Sequence, residues 1–78
     1  MTELFPLSSV AEGASAVIVK VGGKGKFRRR LLEMGFVPGT EITVVKCAPL
    51  HDPWEYRLKG SHVSLRRSEA REIIVEKK

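Results

Sequence analysis

The sequence predicts a mainly β domain: a small barrel or sandwich of about five short strands. One helix is inserted after the first strand, and one helical turn stands near the C-terminus. Three observations predict it. Short runs rich in β-branched and aromatic residues recur along the chain, each bounded by Gly or Pro. A single longer segment, from about Lys26 to Met34, carries apolar residues at helical spacing, with Phe27, Leu31 and Met34 at i, i+4 and i+7. No internal repeat or linker interrupts the 78 residues, so 1–78 is read as one domain with a thin core.

The elements follow in order. Thr2 to Ser9 is a short lead-in, and Leu7 to Gly13 suits a turn closed by Gly13. Ser15 to Val21 is the first strand, with Val17, Val19 and Val21 on one face and Ala16, Ile18 and Lys20 on the other. Gly22-Gly23-Lys24-Gly25 breaks it and leads into the helix. Gly35 follows the helix where a left-handed C′ residue is wanted. In Val37-Pro38-Gly39-Thr40, proline sets φ for the second position of a type II turn and glycine supplies the positive φ of the third. Gly35, Pro38 and Gly39 are therefore structural. Ile42 and Val44 then alternate with Glu41, Thr43 and Val45 in a strand that runs from about Glu41 to Cys47.

Ala48-Pro49-Leu50-His51-Asp52-Pro53 is a loop bracketed by two prolines, which restrict it before any partner arrives. Trp54, Tyr56 and Leu58 point inward on the next strand. Gly60 turns the chain, and Val63 and Leu65 point inward on the returning strand, giving an antiparallel hairpin. Ser68 to Arg71 reads as one helical turn, with Ser68 as its cap and Glu69 facing the helix dipole. Ile73-Ile74-Val75 is the last short strand, and Glu76-Lys77-Lys78 should fray.

Composition narrows the function. The chain is 42% hydrophobic, an ordinary globular proportion. Fourteen Lys and Arg against nine Asp and Glu give +5, which suits a mildly basic surface or an acidic partner, nucleic acid or anionic membrane face. The single Cys47 excludes an internal disulfide and fits a reducing compartment. No basic-then-apolar leader and no membrane-length apolar run is present, so a cytoplasmic location is expected. Three glycines in Gly22–Gly25 suggest a phosphate loop, but the G-x-x-x-x-G-K-[ST] spacing is absent. Arg28, Arg29 and Arg30 stand side by side. Helical geometry sends at least two of them to solvent, as a solvated face or as a contact for carboxylate or phosphate.

Three blocks resemble one family. Leu31-x-x-Met34-Gly35-Phe36-x-Pro38-Gly39-Thr40-x-Ile42-x-Val44 resembles the centre of FeoA proteins, small cytosolic accessories of bacterial ferrous iron transport. Ala48 to Pro53 resembles that family's A-P-x-x-D-P loop, and Val63 to Ala70 its closing strand and turn. The order and spacing of the blocks agree over nearly the whole chain. Gly22–Gly25 and Trp54 fall outside the pattern. The resemblance implies an SH3-like β-barrel with a helix inserted near its start, and a partner, the membrane GTPase permease FeoB. The same barrel resembles the C-terminal domain of DtxR-type metal-dependent repressors. With 78 residues and no helix-turn-helix, a complete repressor is not expected.

The chemistry points away from an enzyme. Cys47 and His51 are close in sequence, but no orienting group or oxyanion site accompanies them. The same two residues are the weak candidates for a metal. A closed zinc site needs about four ligands in paired spacing, and the chain has no C-x-x-C or H-x-x-x-H. No cofactor and no small-molecule substrate are expected. The favoured reading is a protein-binding module that modulates the cytosolic region of a FeoB-type permease, reaching the membrane only through that partner. Leu50, His51 and Asp52 on the loop and Arg28, Arg29 and Arg30 on the helix are its expected contacts. Leu50 serves either as an anchor for a partner pocket or as a lid over the barrel's open end. Two alternatives stand beside it. One is a nucleic-acid-binding barrel using the arginines with Trp54 and Tyr56, a reading weakened by the inward placement of both aromatics. The other is a metal-sensing domain.

Overall fold

The computed structural model describes residues 3–47 and 53–77. Among these residues six antiparallel strands form one sheet in the order β1-β6-β2-β3-β4-β5. They are β1 (Leu4–Pro6), β2 (Ser15–Val21), β3 (Glu41–Cys47), β4 (Trp54–Leu58), β5 (Ser61–Leu65) and β6 (Ile73–Lys77). A short 3₁₀ turn spans Leu7–Ser9, α1 spans Gly25–Glu33 and α2 spans Arg67–Ala70. Strands β1 and β5 are the two edges, so the sheet bends around its core without closing. One cluster gathers side chains from nearly every element: Leu7, Ile18, Leu31, Phe36, Val44, Tyr56, Leu65 and Val75 are among its fully buried members.

The helix end is built as the sequence suggests. Gly35 has φ +107°. Its N–H donates to the Leu32 carbonyl at 3.1 Å, and the Phe36 N–H donates to the Leu31 carbonyl at 3.1 Å. This pair of bonds is the Schellman motif, and Leu31 and Phe36 supply its hydrophobic contact in the core. Burying each such side chain stabilises the fold by about 1.5–3 kcal/mol. Gly39 has φ +92°, and the Thr40 N–H reaches the Val37 carbonyl at 3.1 Å, as a type II turn requires. The turn also clasps β2: Gly39 N–H donates to the Ile18 carbonyl at 2.7 Å, and Ile18 N–H donates to the Thr40 carbonyl at 2.9 Å.

Four details differ from the sequence reading. The lead-in contains a strand: Leu4, Phe5 and Pro6 pair with Glu76, Val75 and Ile74. Because β6 lies between β1 and β2, Glu76 and Lys77 are strand residues paired with Val17 and Ala16, not a fraying tail. Strand β2 does not keep one alternation. A bulge between Ile18 and Lys20 inserts Val19, so Ala16 and Ile18 face the core before the bulge and Val21 faces it after. One extra residue moves every later side chain to the other face. Helix α2 starts one residue earlier than its expected Ser68 cap. The Arg66 N–H is satisfied by Glu69 Oε1 at 2.9 Å, so Glu69 rather than Ser68 closes the turn.

Candidate partner surface

The local chain geometry fixes where α1 sits. Gly22 N–H donates to the Glu72 carbonyl at 2.6 Å, tying the strand end to the segment before β6. Gly23 takes φ +85°, and a Cβ there would stand 2.4 Å from Cδ2 of Phe27, so the link passes directly over that ring. Phe27 and Met34 are half-buried and Leu31 fully buried, which turns the apolar stripe of α1 onto the sheet. Arg29 projects from the opposite side.

Arg28, Arg29 and Arg30 are all exposed, yet the structure gives them different surroundings. Arg28 Nε donates to the Val21 carbonyl at 3.1 Å. Arg30 Nη2 bonds Glu69 Oε2 at 2.6 Å, with the Arg30 side chain 64% exposed and that of Glu69 15% exposed. Arg30 therefore joins α1 to α2. Arg29 makes no ion pair among the described residues. In sequence the three stand as one surface; the structure divides them by what each touches. Six of the fourteen basic residues lie between Lys20 and Arg30, and Glu33 is the sole acid between Lys20 and Met34. That segment alone carries +5, which equals the formal charge of the whole chain.

The loop residues Leu50, His51 and Asp52 lie outside the described residues, as does the Cys47 side chain. Among the described residues no three of His, Cys, Asp and Glu come together as metal ligands. His62 is exposed on the edge strand β5. Trp54 is half-buried and Tyr56 fully buried, both packed in the core as their alternation indicates.

One feature escaped the sequence reading. A groove of about 590 Å³ opens between β1, the turn after the 3₁₀ segment and the start of β2, lined by Phe5, Val10, Ala14, Ala16, Val75 and Lys77 among others. Lys77 Nζ lies 5.6 Å from the centre of the Phe5 ring, a cation–π contact across its rim. The only sequence signal for it is the apolar Leu4-Phe5 pair, which is too short to show a period.

Against this geometry, comparison with known proteins is decisive. The FeoA domain model matches residues 5–77. The chain belongs to the FeoA family. A curated relative, the Fe(2+) transport protein A/Fe(2+) transporter FeoB fusion protein of Porphyromonas gingivalis, is 59% identical over 70 residues. The match covers 90% of this chain but 8% of that relative. Among solved structures, the FeoA-like protein of Clostridium acetobutylicum is 39% identical with a TM-score of 0.89, covering 99% of this chain and 90% of that one. Stenotrophomonas maltophilia FeoA, solved in complex with zinc and described as a prokaryotic SH3 domain protein, is 33% identical with a TM-score of 0.79, covering 96% of this chain and 88% of its own. The fold is thus the SH3-like one, with the inserted helix. A manganese-dependent transcriptional repressor shares the fold alone, at 13% identity and a TM-score of 0.88, over 100% of this chain and 44% of the repressor. Among the described residues of this FeoA domain, no helix is long and apolar enough to cross a membrane.

Proposed function

We propose that this FeoA chain is a non-enzymatic, cytoplasmic accessory of ferrous iron uptake that binds the cytosolic region of a FeoB-type permease and modulates it. The observation that carries this is the Porphyromonas gingivalis relative, in which a segment 59% identical to this chain shares a polypeptide with FeoB. A covalent tether holds two modules at high effective concentration, which is useful when the modules act on each other. A role in activating ferrous iron transport has been suggested for the Stenotrophomonas relative, in agreement with this reading. The nucleic-acid alternative is disfavoured, because Trp54 and Tyr56 pack in the core and provide no platform on which bases stack.

The test uses the purified chain and the purified cytosolic region of the permease from the same organism. Calorimetry should show saturable binding, and addition of the chain should change the region's nucleotide turnover or its nucleotide affinity. No binding in any nucleotide state, together with unchanged iron uptake after deletion of this gene, would refute the reading.

A further inference from the structure

We propose that the outer face of α1 and its lead-in is a contact site for an anionic phospholipid surface, used directly and not only through a protein partner. Lys24, Lys26, Arg28 and Arg29 are exposed there, and none of them meets a carboxylate among the described residues. With Lys20 and Arg30 they form the most basic segment of the chain, and Glu33 is the sole acid between Lys20 and Met34. A bilayer rich in anionic headgroups attracts a cluster of this kind over a distance of about a Debye length, ~10 Å at moderate salt.

Two observations favour lipid over a protein or a nucleic acid. A specific protein interface is centred on buried apolar or aromatic anchors. Among the described residues the exposed large apolar side chains are Leu4, Val19 and Val37, all off α1, and the apolar residues of the helix face the core. The groove lined by Phe5 and Lys77 does not include any residue of α1 either. Single-stranded nucleic acid is held by stacking as well as charge, and no aromatic side chain among the described residues is exposed: Phe36 and Tyr56 are buried, and Phe5, Phe27 and Trp54 are half-buried against the core. Attraction to headgroups requires neither anchors nor stacking. Because the apolar stripe of α1 is already covered, the contact is superficial, reversible and salt-sensitive, with no side chain inserted into the acyl region.

The test is co-sedimentation with vesicles of phosphatidylcholine alone and of phosphatidylcholine mixed with phosphatidylglycerol. Binding is expected only to the mixed vesicles at low salt, and it should vanish as salt rises. Lys26→Glu with Arg29→Glu should weaken it at least about 25-fold, at roughly fivefold for each cation removed. Arg57→Glu with Lys59→Glu makes the same change in net charge on the β4–β5 hairpin and should leave most of the binding intact. Melting temperatures of both pairs establish that the variants are folded. Equal loss in the two pairs would overturn the site, because net charge alone would then account for binding. Failure to bind mixed vesicles would overturn it as well, as would binding of polyglutamate or single-stranded RNA in preference to vesicles through Lys26 and Arg29. The permease assay is separate, so either idea can fail without the other.

Discussion

Replacing Gly39 isolates the energetic contribution of one backbone angle. Gly39 has φ +92°, and a Cβ built on it meets no atom within 4 Å. A substitution there creates no clash, so its cost is conformational. Holding an ordinary residue in this region costs about 1–3 kcal/mol, with β-branched residues at the upper end. If the turn relaxes instead, it strains the bond from Gly39 to the Ile18 carbonyl and the bond from Ile18 to the Thr40 carbonyl, each contributing roughly 0.5–1.5 kcal/mol. Both routes give a similar total: about 1–2 kcal/mol for Gly39→Ala and about 2–3 kcal/mol for Gly39→Val. In a domain of this size 1 kcal/mol moves the melting temperature by roughly 4–8 °C, so the expected drops are about 5–15 °C and about 10–20 °C. Gly39→Asn should lose less than either, because Asn tolerates positive φ. Thermal melts of the four proteins, followed by circular dichroism, decide it. A Val variant that melts with the wild type refutes the type II turn. An Asn variant as unstable as the Val variant shows that packing, not φ, sets the requirement for glycine.

Other consequences follow from the same geometry. Gly23→Ala combines φ +85° with a Cβ 2.4 Å from the Phe27 ring, so it should cost more than Gly39→Ala, and Phe27→Leu in the same chain should recover part of the loss in a denaturant melt. Glu69→Ala should destabilise more than Arg30→Ala, since Glu69 bonds both the Arg30 guanidinium at 2.6 Å and the Arg66 N–H at 2.9 Å. An exposed ion pair contributes about 0–1 kcal/mol and a lost cap about 0.5–2 kcal/mol; only the first share should fade in high salt when both variants are melted there. Leu50→Ala and Asp52→Ala test the proline-bracketed loop. Weaker permease binding at unchanged melting temperature supports a partner anchor, and a large loss of melting temperature for Leu50→Ala supports a lid.

Much of the fold was legible where local signals agreed. Met34-Gly35-Phe36 and Val37-Pro38-Gly39-Thr40 each specify backbone angles through the residue types themselves, and the chain adopts them. The hairpin was legible for the same reason: Lys59 and Gly60 both take positive φ, at 42° and 84°, between strands whose alternation places Tyr56, Leu58 and Leu65 inside. The misses have a different cause. Strand β1 has three residues, and only its pairing with β6 makes it a strand. The bulge at Val19 leaves no mark in Ser-Ala-Val-Ile-Val-Lys-Val, because an unbroken apolar run reads the same in either phase. The groove at Phe5 depends on the first of these, because the pairing of β1 with β6 sets Phe5 beside Val75 in its lining. The arginines were legible as exposed, but the division of Arg30 from Arg29 depends on Glu69, 39 positions away in the chain.

That division decides how α1 should be probed. Reversing Arg28, Arg29 and Arg30 together looks, from sequence, like a change of surface that leaves the fold intact. In the structure Arg28→Glu removes the donor to the Val21 carbonyl, and Arg30→Glu sets a carboxylate against Glu69, which itself holds the start of α2. The triple variant therefore perturbs stability and surface charge at once, and loss of binding in it has two explanations. Lys26 and Arg29 have no such ties among the described residues. Reversing this pair changes the charge that a partner or a lipid surface meets while leaving both the core stripe and the α1–α2 contact in place.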